Sequence, residues 1–124
     1  MKILLAEDDK NIATIAKLAL EQFGSHQVDH ASDGQIALEM ALSGDYDLIL
    51  LDEMMPKLNG LSVCHQYKVQ SPSPSPIIFL SAKSQEADLD EFRRCSMGFI
   101  TKPFDPLKIC SQIASILDAG RAAA

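Results

Sequence analysis

The sequence predicts an α/β domain in which five parallel strands form a doubly wound sheet covered by five helices. Five short, mostly apolar runs punctuate the chain, and the strongest, Leu48–Leu51 and Ile77–Leu80, are continuous rather than alternating. Continuous runs suit strands buried on both faces. Between the runs lie segments of helical period, and alternation of strand with helix calls for right-handed crossovers and a parallel sheet. A length of 124 residues fits one such domain.

The first strand is Lys2–Ala6 (KILLA). The first helix follows, with Ile12, Ile15, Ala16, Ala19 and Phe23 on one face and Gly24 as its stop. Gln27–Ala31 (QVDHA) is a weaker second strand. Asp33-Gly34 opens a second helix that carries Ile36, Ala37, Met40 and Ala41 and closes near Gly44. The third strand is Leu48–Asp52 (LILLD), and a third helix runs from about Leu61 to Val69. Alternating Ser and Pro over 71–76 read as a stiff extended connection into the fourth strand, Ile77–Ser81 (IIFLS). A fourth helix, about Ser84 to Arg94, is acidic, with Ala87, Leu89 and Phe92 as anchors. Gly98–Lys102 (GFITK) is the fifth strand. Asp105 as N-cap and Pro106 at the first helical position open the fifth helix, whose face is Ile109, Cys110, Ile113, Ile116 and Leu117. The domain is read as 1–119, with 120–124 as a short tail.

Composition narrows the function. Hydrophobic residues at 47% and charged residues at 23% belong to a folded domain rather than a disordered one. A net charge of −6 disfavours nucleic-acid backbones and anionic membrane surfaces as partners. No apolar run approaches the roughly 20 residues that span a bilayer, and the apolar start lacks a signal-peptide core, so a cytoplasmic location is expected. Cys64, Cys95 and Cys110 are widely spaced with no C-x-x-C, and are expected to be buried, reduced thiols. His26, His30 and His65 fall in no metal or triad spacing.

The acids carry the chemical signal. In an open parallel sheet, ligands bind beyond the carboxyl ends of the strands. Here strand one ends in Glu7-Asp8-Asp9, strand three in Asp52, strand four in Ser81 and strand five in Lys102. Clustered carboxylates repel unless a cation joins them, and oxygen-only ligands suit Mg²⁺. A hard cation, a lysine and a hydroxyl together form a phosphoryl clamp, and a carboxylate among them can be the nucleophile. A haloacid-dehalogenase-type phosphatase would place an Asp-x-Asp pair after the first strand, whereas these acids are adjacent. A flavodoxin-like cofactor site would need Gly, Ser or Thr donors in that loop, which is acidic instead.

Several segments resemble the receiver domain of two-component response regulators. They are Ile3-Leu4-Leu5-Ala6-Glu7-Asp8-Asp9, the stretch Tyr46 to Pro56 with Gly60, Ser81-Ala82, and Lys102-Pro103-Phe104. The likeness runs from Lys2 to about Leu117. It implies the CheY-like strand order 2-1-3-4-5. It also implies a phosphoacceptor switch rather than an enzyme, which takes a phosphoryl group from a histidine kinase, a phosphotransfer protein or a small phosphodonor. A downstream effector or a separate output domain would read the result.

Position by position, the resemblance makes Asp52 the phosphoacceptor, Lys102 its phosphoryl-pairing cation, and Ser81 and Phe99 the switch pair. Mg²⁺ or Mn²⁺ would be held by Glu7, Asp8, Asp52 and the Met54 carbonyl, with Asp9 one position past the usual acidic pair. Met54 and Lys83 would flank the path of a hydrolytic water, and Lys102-Pro103 is typically cis. The chain departs from the family at Cys95-Ser96-Met97-Gly98, where Gly-Ala-Asp-Asp is frequent. It also carries Asp88 and Asp90 where winged-helix DNA-binding members tend to be basic, which puts their usual dimer face in doubt.

Overall fold

The computed structural model describes residues 1–81 and 93–123, without the side chains of 121–123. The elements are β1 (Lys2–Ala6), α1 (Lys10–Gly24), β2 (Gln27–Ala31), α2 (Gly34–Ser43), β3 (Leu48–Asp52), α3 (Gly60–Gln70), β4 (Ile77–Ser81), β5 (Gly98–Thr101) and α4 (Ile109–Ala123). Most of the fourth predicted helix, including Asp88 and Asp90, lies outside the described residues, while 93–95 are helical. The helix here called α4 is therefore the fifth of the sequence reading. It continues through Ala123, past the boundary read at 119.

The strands are parallel throughout, in the order β2-β1-β3-β4-β5. Alternate residues of each strand feed opposite layers. Leu4, Ala6, Ile49, Leu51, Ile77 and Phe79 meet Ala37, Leu38 and Ala41 of α2 and Val63 and Tyr67 of α3. Ile3, Leu5, Leu48, Leu50, Ile78 and Leu80 meet α1 and α4 on the other side. Both faces of the central strands are thus excluded from water, which explains why the apolar runs are continuous. Each buried Leu or Ile contributes about 1.5–3 kcal/mol toward this packing.

Local signals set the helix ends. Asp9 caps α1 by accepting from the Asn11 and Ile12 amides, and Asp33 caps α2 through Ile36. Asn59 caps α3 through Ser62. Asp105 and Pro106 do not open α4 as expected: Asp105 receives the Leu107 amide on its side chain and the Lys108 and Ile109 amides on its carbonyl, so a turn over 106–108 comes first and the helix begins at Ile109. Gly60 must be small, because a Cβ there would run into the Asp52 carbonyl oxygen.

Two further expectations need correction. The buried stripe of α1 is Ala13, Ala16, Ala19 and Leu20, while Ile15 and Phe23 are 47% and 60% exposed. Small alanines let the helix lie close to the sheet and turn its larger apolar residues outward. Gly24 stays helical, and the cap is Ser25 in the left-handed region. The cysteines are the second correction: Cys64 of α3 and Cys95 form a disulfide with Cα atoms 6.3 Å apart, leaving Cys110 free. The two residues lie in the same core layer, a proximity their sequence separation of 31 does not reveal. No helix among the described residues is long and apolar enough to cross a membrane.

Tyr46 ties the β2 edge to the centre of the sheet. Its ring is buried, its hydroxyl donates to Asp29 Oδ2 at 2.8 Å, and its carbonyl accepts from Ser75 Oγ. Burial, then Asp29, push the phenol up to about 12. A folded-state value above the ordinary one stabilises the protonated native form below pH 10 and loses that contribution as pH rises toward 12. Tyr46→Phe should therefore lower stability by about 1 kcal/mol at pH 8. Urea unfolding of both proteins from pH 8 to pH 12 should show this gap narrowing above pH 10. A gap that is constant or widens would contradict the assignment.

Candidate functional site

The carboxyl ends of β1, β3, β4 and β5 lie side by side, which is what strand order and register require. Glu7 continues β1 by one residue, its amide donating to the Ala31 carbonyl, and its side chain is fully buried. Asp52 ends β3 and is 4% exposed. Lys102 follows β5, with its amide held by the Ser81 carbonyl at 2.7 Å and a cis bond to Pro103. Its ammonium reaches Glu7 Oε1 at 2.9 Å and Asp52 Oδ1 at 3.1 Å. Residues from three strand ends thus share one buried ion cluster.

Asp8 adds an exposed carboxylate. One oxygen each from Glu7, Asp8 and Asp52 lie within 4.8 Å of one another. Three carboxylates facing one ammonium leave the rim short of positive charge. The imbalance shows in Glu7: burial raises its pKa, reinforced by a hydrogen bond with Asp52 and only partly opposed by Lys102. Burial alone would lower the Lys102 pKa, but Glu7 and Asp52 outweigh it and the group is held charged. An all-oxygen donor set with surplus negative charge fits a hard divalent cation.

The other predicted residues are distributed around this cluster. Asp9 is engaged as the α1 cap, with Oδ1 accepting two amides, and stands outside the carboxylate group. Met54 is 72% exposed, and its amide approaches Asp52 Oδ1 at 3.4 Å. Ser81 ends β4, is 2% exposed, and donates its hydroxyl to Glu53 Oε2 at 2.6 Å. Phe99 sits half-buried in β5, opposite Phe79. Ala82 and Lys83 lie outside the described residues.

Sequence reasoning missed two participants. Glu53 lies inside the stretch Tyr46 to Pro56, where the resemblance gives it no role of its own, and its contact with Ser81 joins the ends of two different strands. His30 places Nε2 2.7 Å from the Glu7 carbonyl oxygen, bracing the start of the acidic loop from β2. No spacing of the histidines signals that contact.

The chain matches the response regulator receiver domain over residues 3–114. It is 40% identical over 119 residues to response regulator ArlR of Staphylococcus saprophyticus, covering 94% of this chain and 52% of that protein. It is 38% identical over 126 residues to the alkaline phosphatase synthesis transcriptional regulatory protein PhoP of Bacillus subtilis, covering 99% and 51%. The chain therefore spans about half the length of the curated relatives it matches. Among solved structures, the receiver domain of Francisella response regulator 1452 superposes with a TM-score of 0.81 at 31% identity, covering 99% of this chain and 98% of that one. With the fold, the strand order and the family match in agreement, this chain belongs to the receiver-domain family of two-component response regulators.

Proposed function

We propose that this receiver works as a phosphoacceptor switch, with Asp52 as the residue modified. The observation that carries this is Asp52 at the end of β3, sharing the Lys102 ammonium with Glu7 at 3.1 and 2.9 Å. An Asp52 oxygen attacks the phosphorus of a phosphohistidine on a partner kinase or phosphotransfer protein. The P–N bond breaks, and the electron pair stays on the imidazole. Lys102 then exchanges a carboxylate oxygen for a phosphoryl oxygen, a charge-for-charge substitution within its reach. Ser81 donates to the new anion, and Phe99, on the neighbouring strand, follows it. The chain thus changes state once per phosphoryl group rather than turning over a substrate, in the cytoplasm where its partner kinase domain works.

Glu7, Asp8, Asp52 and the Met54 carbonyl would hold Mg²⁺ or Mn²⁺. Such an ion neutralises phosphoryl oxygens when bound. The donor partner must cover the rim to reach a nucleophile only 4% exposed, and Met54, two residues past Asp52 and 72% exposed, offers it apolar contact. A downstream effector, or an output domain such as the longer relatives could carry, would read the β5–α4 face.

Incubation with acetyl phosphate and Mg²⁺, followed by intact-mass measurement, should add one phosphoryl group to the wild-type chain and none to Asp52→Asn. Labelling of the Asn variant at another acid would contradict the assignment. A second expectation concerns Glu7, whose pKa is raised by burial. A cation takes the deprotonated carboxylate, so protons compete with the metal and Mg²⁺ affinity should fall as pH is lowered. Calorimetric titrations at neutral and acidic pH should show this weakening in the wild type and less of it in Glu7→Gln, and an equal pH dependence in the two proteins would show that Glu7 is not a ligand. The third concerns lifetime. Met54 offers no polar group to orient water toward the phosphorus, so the acyl phosphate should last on the order of minutes. Met54→Asn should shorten it several-fold, and an unchanged decay rate would place control of the water elsewhere.

A further inference from the structure

Glu53 has no role in the reading above, yet its carboxylate has a defined partner. Ser81 Oγ donates to Glu53 Oε2 at 2.6 Å. That distance falls within the range of charge-assisted O–H···O⁻ bonds, roughly twice as strong as neutral ones. The backbone beneath is fixed on both sides: the Glu53 amide donates to the Leu80 carbonyl at 3.1 Å, and its carbonyl accepts from the Gly60 amide at 3.0 Å. The side chain is the part left to move. It belongs to the residue directly after Asp52.

A serine hydroxyl has one hydrogen to donate. In the proposed function, a phosphoryl group on Asp52 needs that hydrogen, while in this structure Glu53 holds it. Two anionic acceptors thus compete for one donor. We propose that Glu53 is a positioning residue that latches Ser81 in the unphosphorylated state, and that phosphorylation of Asp52 releases the latch. This rests on the phosphoacceptor reading of Asp52 and Ser81. The release needs no further trigger. The acyl phosphate carries about 1.5 to 2 negative charges where the Asp52 carboxylate carried one, which adds to the repulsion on the Glu53 carboxylate while presenting Ser81 with competing acceptor oxygens. The latch therefore opposes spontaneous switching and yields when Asp52 is modified.

The test is a double-mutant cycle on the 124-residue chain, read with beryllofluoride and Mg²⁺ as the phosphoryl mimic. Affinity is followed by ¹⁹F NMR, and the Ser81 and Phe99 amide shifts report the switch. Glu53→Ala should tighten beryllofluoride binding about ten-fold more when Ser81 is present than in the Ser81→Ala background, the size expected for loss of one charge-assisted hydrogen bond. Glu53→Gln, which keeps an acceptor without the charge, should fall between wild type and Ala. If Glu53→Ala does not fold by its ¹H–¹⁵N spectrum, Glu53→Gln carries the comparison in both backgrounds, with a smaller gain expected. An equal gain in the two backgrounds would mean that Glu53 acts only through its charge, and would overturn the latch. So would weaker binding in Glu53→Ala. A wild-type chain that bound no beryllofluoride at all would instead overturn the phosphoacceptor reading, and the latch with it.

Discussion

One lysine holds the site together. Lys102 and Glu7 are 95 residues apart in the chain, yet their charged atoms lie 2.9 Å apart in the interior, with Asp52 at 3.1 Å. A buried charge without a partner costs several kcal/mol, so the ends of β1, β3 and β5 cannot separate cheaply. Nor can one ammonium fully neutralise two buried carboxylates with a third beside them. The same cluster is therefore a structural clasp and a site with an unmet demand for positive charge.

The two layers of the fold serve this rim. Continuous apolar strands fix the sheet rigidly from both sides, and register then fixes which residues reach the end together: Ala6 beside Leu51, Asp52 beside Leu80, Ser81 beside Thr101. Flexibility is left to side chains at the strand ends and just past them. Ser81 and Glu53 form one such pair, and Lys102 has two acceptors to choose between. A site built this way can exchange hydrogen-bond and ion-pair partners without moving its backbone far, which suits a switch between two packings of similar energy.

Much of this was legible in the sequence because it is local. Continuous apolar runs match the strands, and Asp33 marks a helix start through its own side-chain bond, whereas Asp105 opens a turn and the helix begins only at Ile109. The acids at matching strand ends announced a shared rim, since a parallel sheet brings those ends together. The strand order itself came from the family resemblance. What stayed hidden depends on tertiary proximity. The rotation of α1 is decided by alanines fitting against the sheet, so a periodic pattern that favours large residues picks the wrong stripe. The Cys64–Cys95 disulfide, the His30 contact with the Glu7 carbonyl and the Ser81–Glu53 bond join residues 31, 23 and 28 positions apart. No periodicity spans such distances.

Lys102 is the neutralising partner of two buried carboxylates, and the stability of Lys102→Met with and without Mg²⁺ tests this most directly. Methionine keeps an unbranched side chain of similar length and removes the charge. Without metal, urea unfolding should show a loss of about 3 kcal/mol or more, the cost of leaving buried carboxylates uncompensated. Saturating Mg²⁺ should restore a large part of it by supplying the missing positive charge, and should do so more strongly than in the wild type. A variant as stable as the wild type in the absence of metal, or one that Mg²⁺ does not rescue, would contradict the account.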